Sequence, residues 1–284
     1  MGKRRDRISA RQLGALALTA AQVPIFWLCC RVWWLWTLLG AGAAALTLSG
    51  LSLLQNRRGR GCAARPRRLG FLAPIPAGGA LLAAWAGSFA FPETAGNWIA
   101  ALLILALAAW AAWLGPAAAA RCAGILLWVS CALYGSVLLF SLPQIHTAWL
   151  LPPSGSPKDA LLVWAALLVP GAALCLAGSL GEDQRLPHWP WWSAALLAVT
   201  ASVVTGGILS PALAGERDAF RTLARGVSVL GVMRRFEALV NGAMLMSAFS
   251  LCTVLLTAAG IACGAYRRRR GEGAENQEKA RARS

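Results

Sequence analysis

Ionisable chemistry is scarce in this chain. Charged residues make up 13% of its 284 positions, only 11 are acidic and only two are histidine. The acidic residues (Asp6, Glu93, Asp159, Glu182, Asp183, Glu216, Asp218, Glu237, Glu272, Glu275 and Glu278) fall in loops, tails or the ends of apolar stretches. General acid–base catalysis needs positioned carboxylates or histidines, and no such pairing is visible, so no enzymatic activity is expected. His146 in LPQIHTAW and His188 in LPHWPWW stand alone, without ligand spacing, and read as interfacial polar residues. The eight cysteines form no C-x-x-C and sit mostly in apolar stretches, as small packing residues do. Neither a metal, a cofactor nor a required disulfide is expected. Proton-driven carriers commonly bury an ionisable relay within the bundle, so direct proton coupling is disfavoured unless Glu237 lies deeper than the end of its stretch.

What the chain has is apolar length. Hydrophobic residues reach 58% and the mean hydropathy is +0.58, far from a soluble globular average. A membrane span needs about 20 mainly apolar residues, and eight stretches qualify: 12–30, 32–55, 69–91, 98–114, 117–140, 160–180, 193–213 and 238–263. Within lipid every backbone polar group must be satisfied inside its own segment, and the alternating pattern of a membrane barrel is missing, so the spans are helices. The expected fold is all-α: a polytopic helical membrane protein with a single domain over 1–266 and a basic, disordered tail over 267–284.

Orientation follows from the basic residues, because loops rich in Lys and Arg stay cytoplasmic. With eight spans and both termini inside, 20 of the 27 fall on the cytoplasmic side and 7 outside. The net charge of +16 then favours anionic lipid headgroups as partners and requires no nucleic acid. The basic start KRRDR followed by ALALTAAQ resembles a secretory signal. Because apolar character continues through VPIFWLCC into WWLWTLL, an uncleaved first span is the preferred reading. Several of the 14 tryptophans (Trp27, Trp33, Trp34, Trp98, Trp149, Trp189, Trp191 and Trp192) gather at span ends, where indoles meet headgroups.

Two spans carry backbone irregularity. The first holds Gln22 and Pro24 in AAQVPIFW, the sixth Pro170 and Gly171 in LLVPGAAL. Proline removes a backbone donor, and carriers built from inverted repeats place interrupted helices at matching positions of the two halves, near a midplane ligand. With a five-helix repeat, spans one and six correspond, and these four residues form the candidate substrate site. The alternative is that Pro and Gly are common in membrane helices, as in APIPAGG of the third span. Residues 214–237 read as an amphipathic outer helix, with Phe220, Leu223, Val227 and Leu230 at spacings of three and four. It ends in a charge cluster, Arg234, Arg235 and Glu237, at the doorstep of span eight. Glu237 and Arg234 can share a helix face there, and the carboxylate meets the favourable end of the helix dipole.

Two strings resemble a known family. ISARQLGALALTAAQ (8–22) and FRTLARGVSVLGVMRRFEALV (220–240) are similar to the opening and the pre-span-eight segment of spore germination permeases, the integral-membrane B subunits of GerA-type nutrient germinant receptors. The resemblance implies the amino acid/polyamine/organocation superfamily fold, a role in germinant sensing or ion conduction at the inner spore membrane or cell membrane, and A-type and C-type (lipoprotein) subunits and a small nutrient ligand as partners. If RRFEAL opens the family's eighth span, the family's last two spans are absent, leaving an incomplete, five-plus-three inverted repeat. The family's glycine-containing break in span one is replaced by VPIFW, and Arg221 follows Phe220 where a proline is expected. The leading expectation is a germination-permease-like subunit that senses or relays a nutrient signal. An independent amino-acid or organic-solute carrier and a non-transporting structural membrane protein are the alternatives.

Overall fold

The computed structural model describes residues 9–58, 74–88, 97–150, 155–178, 187–209, 219–226 and 236–263. Among them there is no strand. The described residues form nine α-helices in chain order: α1 Ala10–Trp27, α2 Trp34–Arg58, α3 Pro74–Ser88, α4 Asn97–Leu114, α5 Pro116–Ser141, α6 Pro157–Gly178, α7 Trp189–Ile208, α8 Ala219–Gly226 and α9 Phe236–Ala262. Each expected apolar stretch therefore contains a helix. Among the described residues six spans are long and apolar enough to cross a membrane: 10–31, 34–54, 117–144, 157–175, 189–208 and 237–261. Such helices are compatible with an integral membrane protein. The apolar parts of α3 and α4 are shorter, 75–84 and 98–114. At 1.5 Å rise per residue the first covers about half of the roughly 30 Å hydrocarbon core. The tail from 267 onward and the basic loop around Arg60 lie outside the described residues.

Local chemistry sets the helix ends. Ser9 Oγ accepts from Gln12 N–H at 3.2 Å while Gln12 Oε1 accepts from Ser9 N–H at 3.0 Å, a capping box that supplies partners to donors the first turn leaves orphaned. Between α4 and α5 the chain turns at Gly115, whose φ of 103° suits glycine, and Pro116 then opens α5 at a position needing no N–H.

Helix α1 is the axis of the bundle. Every residue from Leu13 to Phe26 is buried, because small and aliphatic residues occupy all its faces and α5, α6, α7 and α9 surround it. By contrast α4 and α5 leave Trp98, Leu102, Trp110, Ile125 and Trp128 exposed, the pattern of helices facing an apolar solvent. Side-chain hydroxyls on the helices largely satisfy themselves. Thr19, Thr205 and Ser250 each donate to the carbonyl four residues back, at 2.7, 2.7 and 3.0 Å, so they add little polarity to the interior.

Inter-helix contacts fix relative directions. Gln22 meets Cys131 and Phe26 meets Tyr134, so α1 and α5 run parallel. Gly14 lies under Trp189 and Pro190 while Val32, just past α1, accepts from Ser202, so α1 and α7 are also parallel. Helices α2 and α6 are parallel through Gly40 against Ala160 and Val163 and, further along, Leu48 against Gly171. Helix α9 runs antiparallel to α3, with Cys252 on Ala80 and Leu255 by Gly79.

The α2–α6 approach depends on its glycines. A Cβ on Gly40 would run into the Ala160 carbonyl and sit 2.9 Å from Val163 Cβ, whereas one on Gly42 would meet nothing. Gly40→Ala should therefore lower stability by about 1 to 3 kcal/mol through overpacking, and Gly42→Ala should be neutral or slightly stabilising by helix propensity. Thermal unfolding of the detergent-solubilised variants reads the difference, and equal losses would contradict this close packing.

Candidate functional site

Gln22 lies where α1, α5 and α9 meet, with 0% exposure. Its Oε1 accepts from Ser247 Oγ at 2.8 Å, and its Nε2 donates to Cys131 Sγ at 3.4 Å. Ser247 also reaches the Ala243 carbonyl at 2.9 Å, so a single hydroxyl proton is divided between two acceptors. Sulfur is a weak acceptor, which leaves the amide N–H side of Gln22 the less well served. One turn along both α1 and α5, Phe26 stacks on Tyr134 at 3.8 Å between ring centroids. The Tyr134 hydroxyl is enclosed with them.

Helix α8 closes this cluster from one end. Ala219, Phe220, Leu223 and Ala224 form its buried face, and Phe220 lies 4.5 Å from Phe26 and 5.8 Å from Tyr134 by centroid. The opposite face carries Arg221 and Arg225, one turn apart, and both hold Glu237 in the first turn of α9. Arg221 Nε donates to Glu237 Oε1, while Arg225 donates from Nε to Oε2 and from Nη2 to Oε1, both at 2.8 Å. The charges also suit the helix dipoles, with Arg225 in the last turn of α8 and the carboxylate in the first turn of α9. Side-chain exposure is 13% for Arg221, 25% for Glu237 and 54% for Arg225. The Arg225 contact therefore adds little, and most of the strength rests on Arg221, whose loss of the carboxylate would cost about 1 to 3 kcal/mol.

The structure places the residues singled out from sequence in different surroundings. Gln22 is in the cluster. Pro24 lies inside α1, which is not interrupted there: its carbonyl accepts from Leu28 N–H at 3.0 Å. Pro170 is likewise inside α6. The expected breaks are thus corrected to continuous helices, because a proline deletes one i to i−4 bond while neighbouring turns and packing hold the rest. Gly171 packs on Leu48 of α2, and no hydrogen bond of the Gln22 cluster reaches α6. Gly171 thus serves close helix approach. Glu237 is ion-paired as anticipated, but its described partners are Arg221 and Arg225; Arg234 and Arg235 lie outside the described residues, as do 214–218 and 227–233 of the amphipathic segment. His188 accepts or donates through Nδ1 to buried Ser52 Oγ at 2.7 Å, tying α2 to the start of α7, and the His146 N–H donates to the Gly207 carbonyl at 2.8 Å.

Ser247, Cys131 and Tyr134 were not singled out from sequence. A serine inside MLMSAFS reads as a self-satisfied hydroxyl, and its second bond to Gln22 depends on tertiary contact. Tyr134 gave the one usable signal, being one of only two tyrosines and the only one within a long apolar run. No family model matches the chain, and no curated protein matches it either.

If the Gln22–Ser247 bond is a direct coupling, Gln22→Ala and Ser247→Ala should be non-additive. A double-mutant cycle by thermal unfolding in detergent should return an interaction of about 0.5 to 1.5 kcal/mol. Additivity would place the two side chains out of contact.

Proposed function

We propose that this chain is a germination-permease-like membrane subunit that senses a small nutrient molecule or relays its signal, working with A-type and C-type receptor subunits. The resemblance of residues 8–22 and 220–240 to that family motivates the reading. The observation that carries it is the position of α8: one face inserts Phe220 beside the buried Phe26, Tyr134 and Gln22 cluster, and the other is ion-paired to α9. An amphipathic helix so held can transmit a change at the bundle's end to the two most enclosed helices. A carrier reading needs free backbone groups at interrupted helices, and continuity through Pro24 and Pro170 favours sensing or relay over it.

The topology proposed with this function is eight crossings with both termini cytoplasmic, in an incomplete inverted repeat. Its support is that every expected stretch contains a helix, α3 and α4 included, and that the parallel pairing of α1 with α5 and α7 and of α2 with α6 and the antiparallel pairing of α9 with α3 agree with alternating crossings. Cysteine-accessibility labelling in a background without native cysteine should find probes at Arg60 and Arg268 on the cytoplasmic side and a probe at Ser154 opposite. Arg60 and Ser154 on one side would refute eight crossings.

The functional test uses spores that express the full chain with its receptor partners. Glu237→Gln should shift the half-maximal germinant concentration by about tenfold or more, since it removes the negative charge shared by two arginines and turns one of the two acceptor oxygens into a donor, and Glu216→Gln in the same outer segment should leave it unchanged. Equal, negligible effects would reduce the charge cluster to an interfacial anchor and favour a structural membrane protein.

A further inference from the structure

Helix α8 is held to the bundle by two contacts that answer to different conditions. Its buried face is Ala219, Phe220, Leu223 and Ala224, of which Phe220 and Leu223 alone bring large side chains into the bundle. Its other face is held by Glu237, which accepts from both Arg221 and Arg225. An isolated helix of eight residues is marginal in water. The helical form of α8 therefore depends on its docking.

The two arginines sharpen that dependence. They stand four residues apart in the sequence, so they share one face of α8, where like charges oppose the helix. The Glu237 carboxylate between them turns repulsion into attraction only while α8 is helical and seated against α9. Helix formation and docking are thus coupled, and one carboxylate serves both. Glu237 and Arg225 are open enough to solvent for salt to screen them. The bonds that tie the inner helices together differ: Ser247 donates to Gln22 with both side chains fully buried, out of reach of dissolved ions. What α8 covers is specific as well. Phe220 lies against the stacked rings of Phe26 and Tyr134, and without α8 in place that stack is uncovered on one side.

We propose that α8 is a salt-sensitive latch, a segment that folds as it docks and unfolds as it leaves while the bundle beneath it stays folded. The closed state seats Phe220 on the aromatic pair and Glu237 between the arginines. The open state uncovers Phe26 and Tyr134 and releases residues 219–226 from the helix. As a step in signal relay the latch rests on the sensing reading, to which it supplies two states of different exposure. The docking equilibrium itself is read without germinant or receptor partners, so either can fail alone.

The test is amide hydrogen exchange of the detergent-solubilised full chain, read by mass spectrometry on peptides covering 219–226 and 13–26. Raising sodium chloride from roughly 0.05 to roughly 0.5 M should speed exchange in α8 by about two- to fivefold, with α1 unchanged. Glu237→Gln at low salt should speed exchange in α8 by about tenfold, again without α1, and should shrink the response to added salt. Protection of α8 that is insensitive to both salt and Glu237→Gln overturns the latch. So does an α8 already unprotected at low salt, or α8 and α1 gaining exchange together, which marks global unfolding. If Glu237→Gln does not fold, the salt response of the unaltered chain carries the test. Salt-driven opening of α8 combined with an unshifted germinant response in Glu237→Gln spores keeps the latch and removes the sensing reading.

Discussion

The hydrogen bond from Ser247 to Gln22 joins the two most enclosed helices of the bundle, and the arrangement around it follows from the need to satisfy a buried amide. A glutamine side chain at 0% exposure in an apolar interior must find partners or pay several kcal/mol. Ser247 and Cys131 provide them from α9 and α5, which fixes the rotation of three helices relative to one another. Apolar packing alone constrains rotation weakly when lipid and core are equally apolar. The amide therefore specifies the bundle more than it stabilises it.

Next to that amide the chemistry changes from polar to aromatic, and this lets a surface helix act on the interior. Phe26, Tyr134 and Phe220 come from α1, α5 and α8. A movement of α8 must shift Phe220 against two rings that lie one turn from Gln22 and Cys131. The Arg221–Glu237 contact resists such movement from the solvent side while α9 carries Ser247 toward the centre.

Sequence periodicity and apolar length made the helices legible, since each expected stretch contains one. The start of α1 lies two residues before the expected 12, at a Ser-x-x-Gln capping box in ISARQ whose two bonds Ser9 and Gln12 both make. That gives one of the two family-like strings a local mechanical role as well. The described partners of Glu237, Arg221 and Arg225, were not anticipated, for a physical reason, while Arg234 and Arg235 lie outside the described residues. Within one helix, spacing of three to four residues pairs side chains, and Arg234 was the nearest such cation. The described pairing instead crosses from α8 to α9, between elements whose angle the sequence does not encode. Pro24 and Pro170 misled in the same way, because the cost of one missing hydrogen bond is visible in sequence and the packing that offsets it is not.

The continuity of α1 and α6 also limits what the centre of the bundle can hold. Interrupted helices bind charged groups by offering uncommitted N–H and C=O groups, and α1 keeps those groups in its own ladder past Pro24. The described polar side chains around the Gln22 amide are hydroxyls and a thiol, with no arginine, lysine or carboxylate hydrogen-bonded among them. A charged group brought there would lose its hydration and meet only neutral dipoles, at a cost of several kcal/mol. Among the described residues, the carboxylates Asp159 and Glu237 lie in the first turns of their helices, and Glu237 has its arginines there. A charged group is therefore better accommodated at the bundle's ends than beside Gln22.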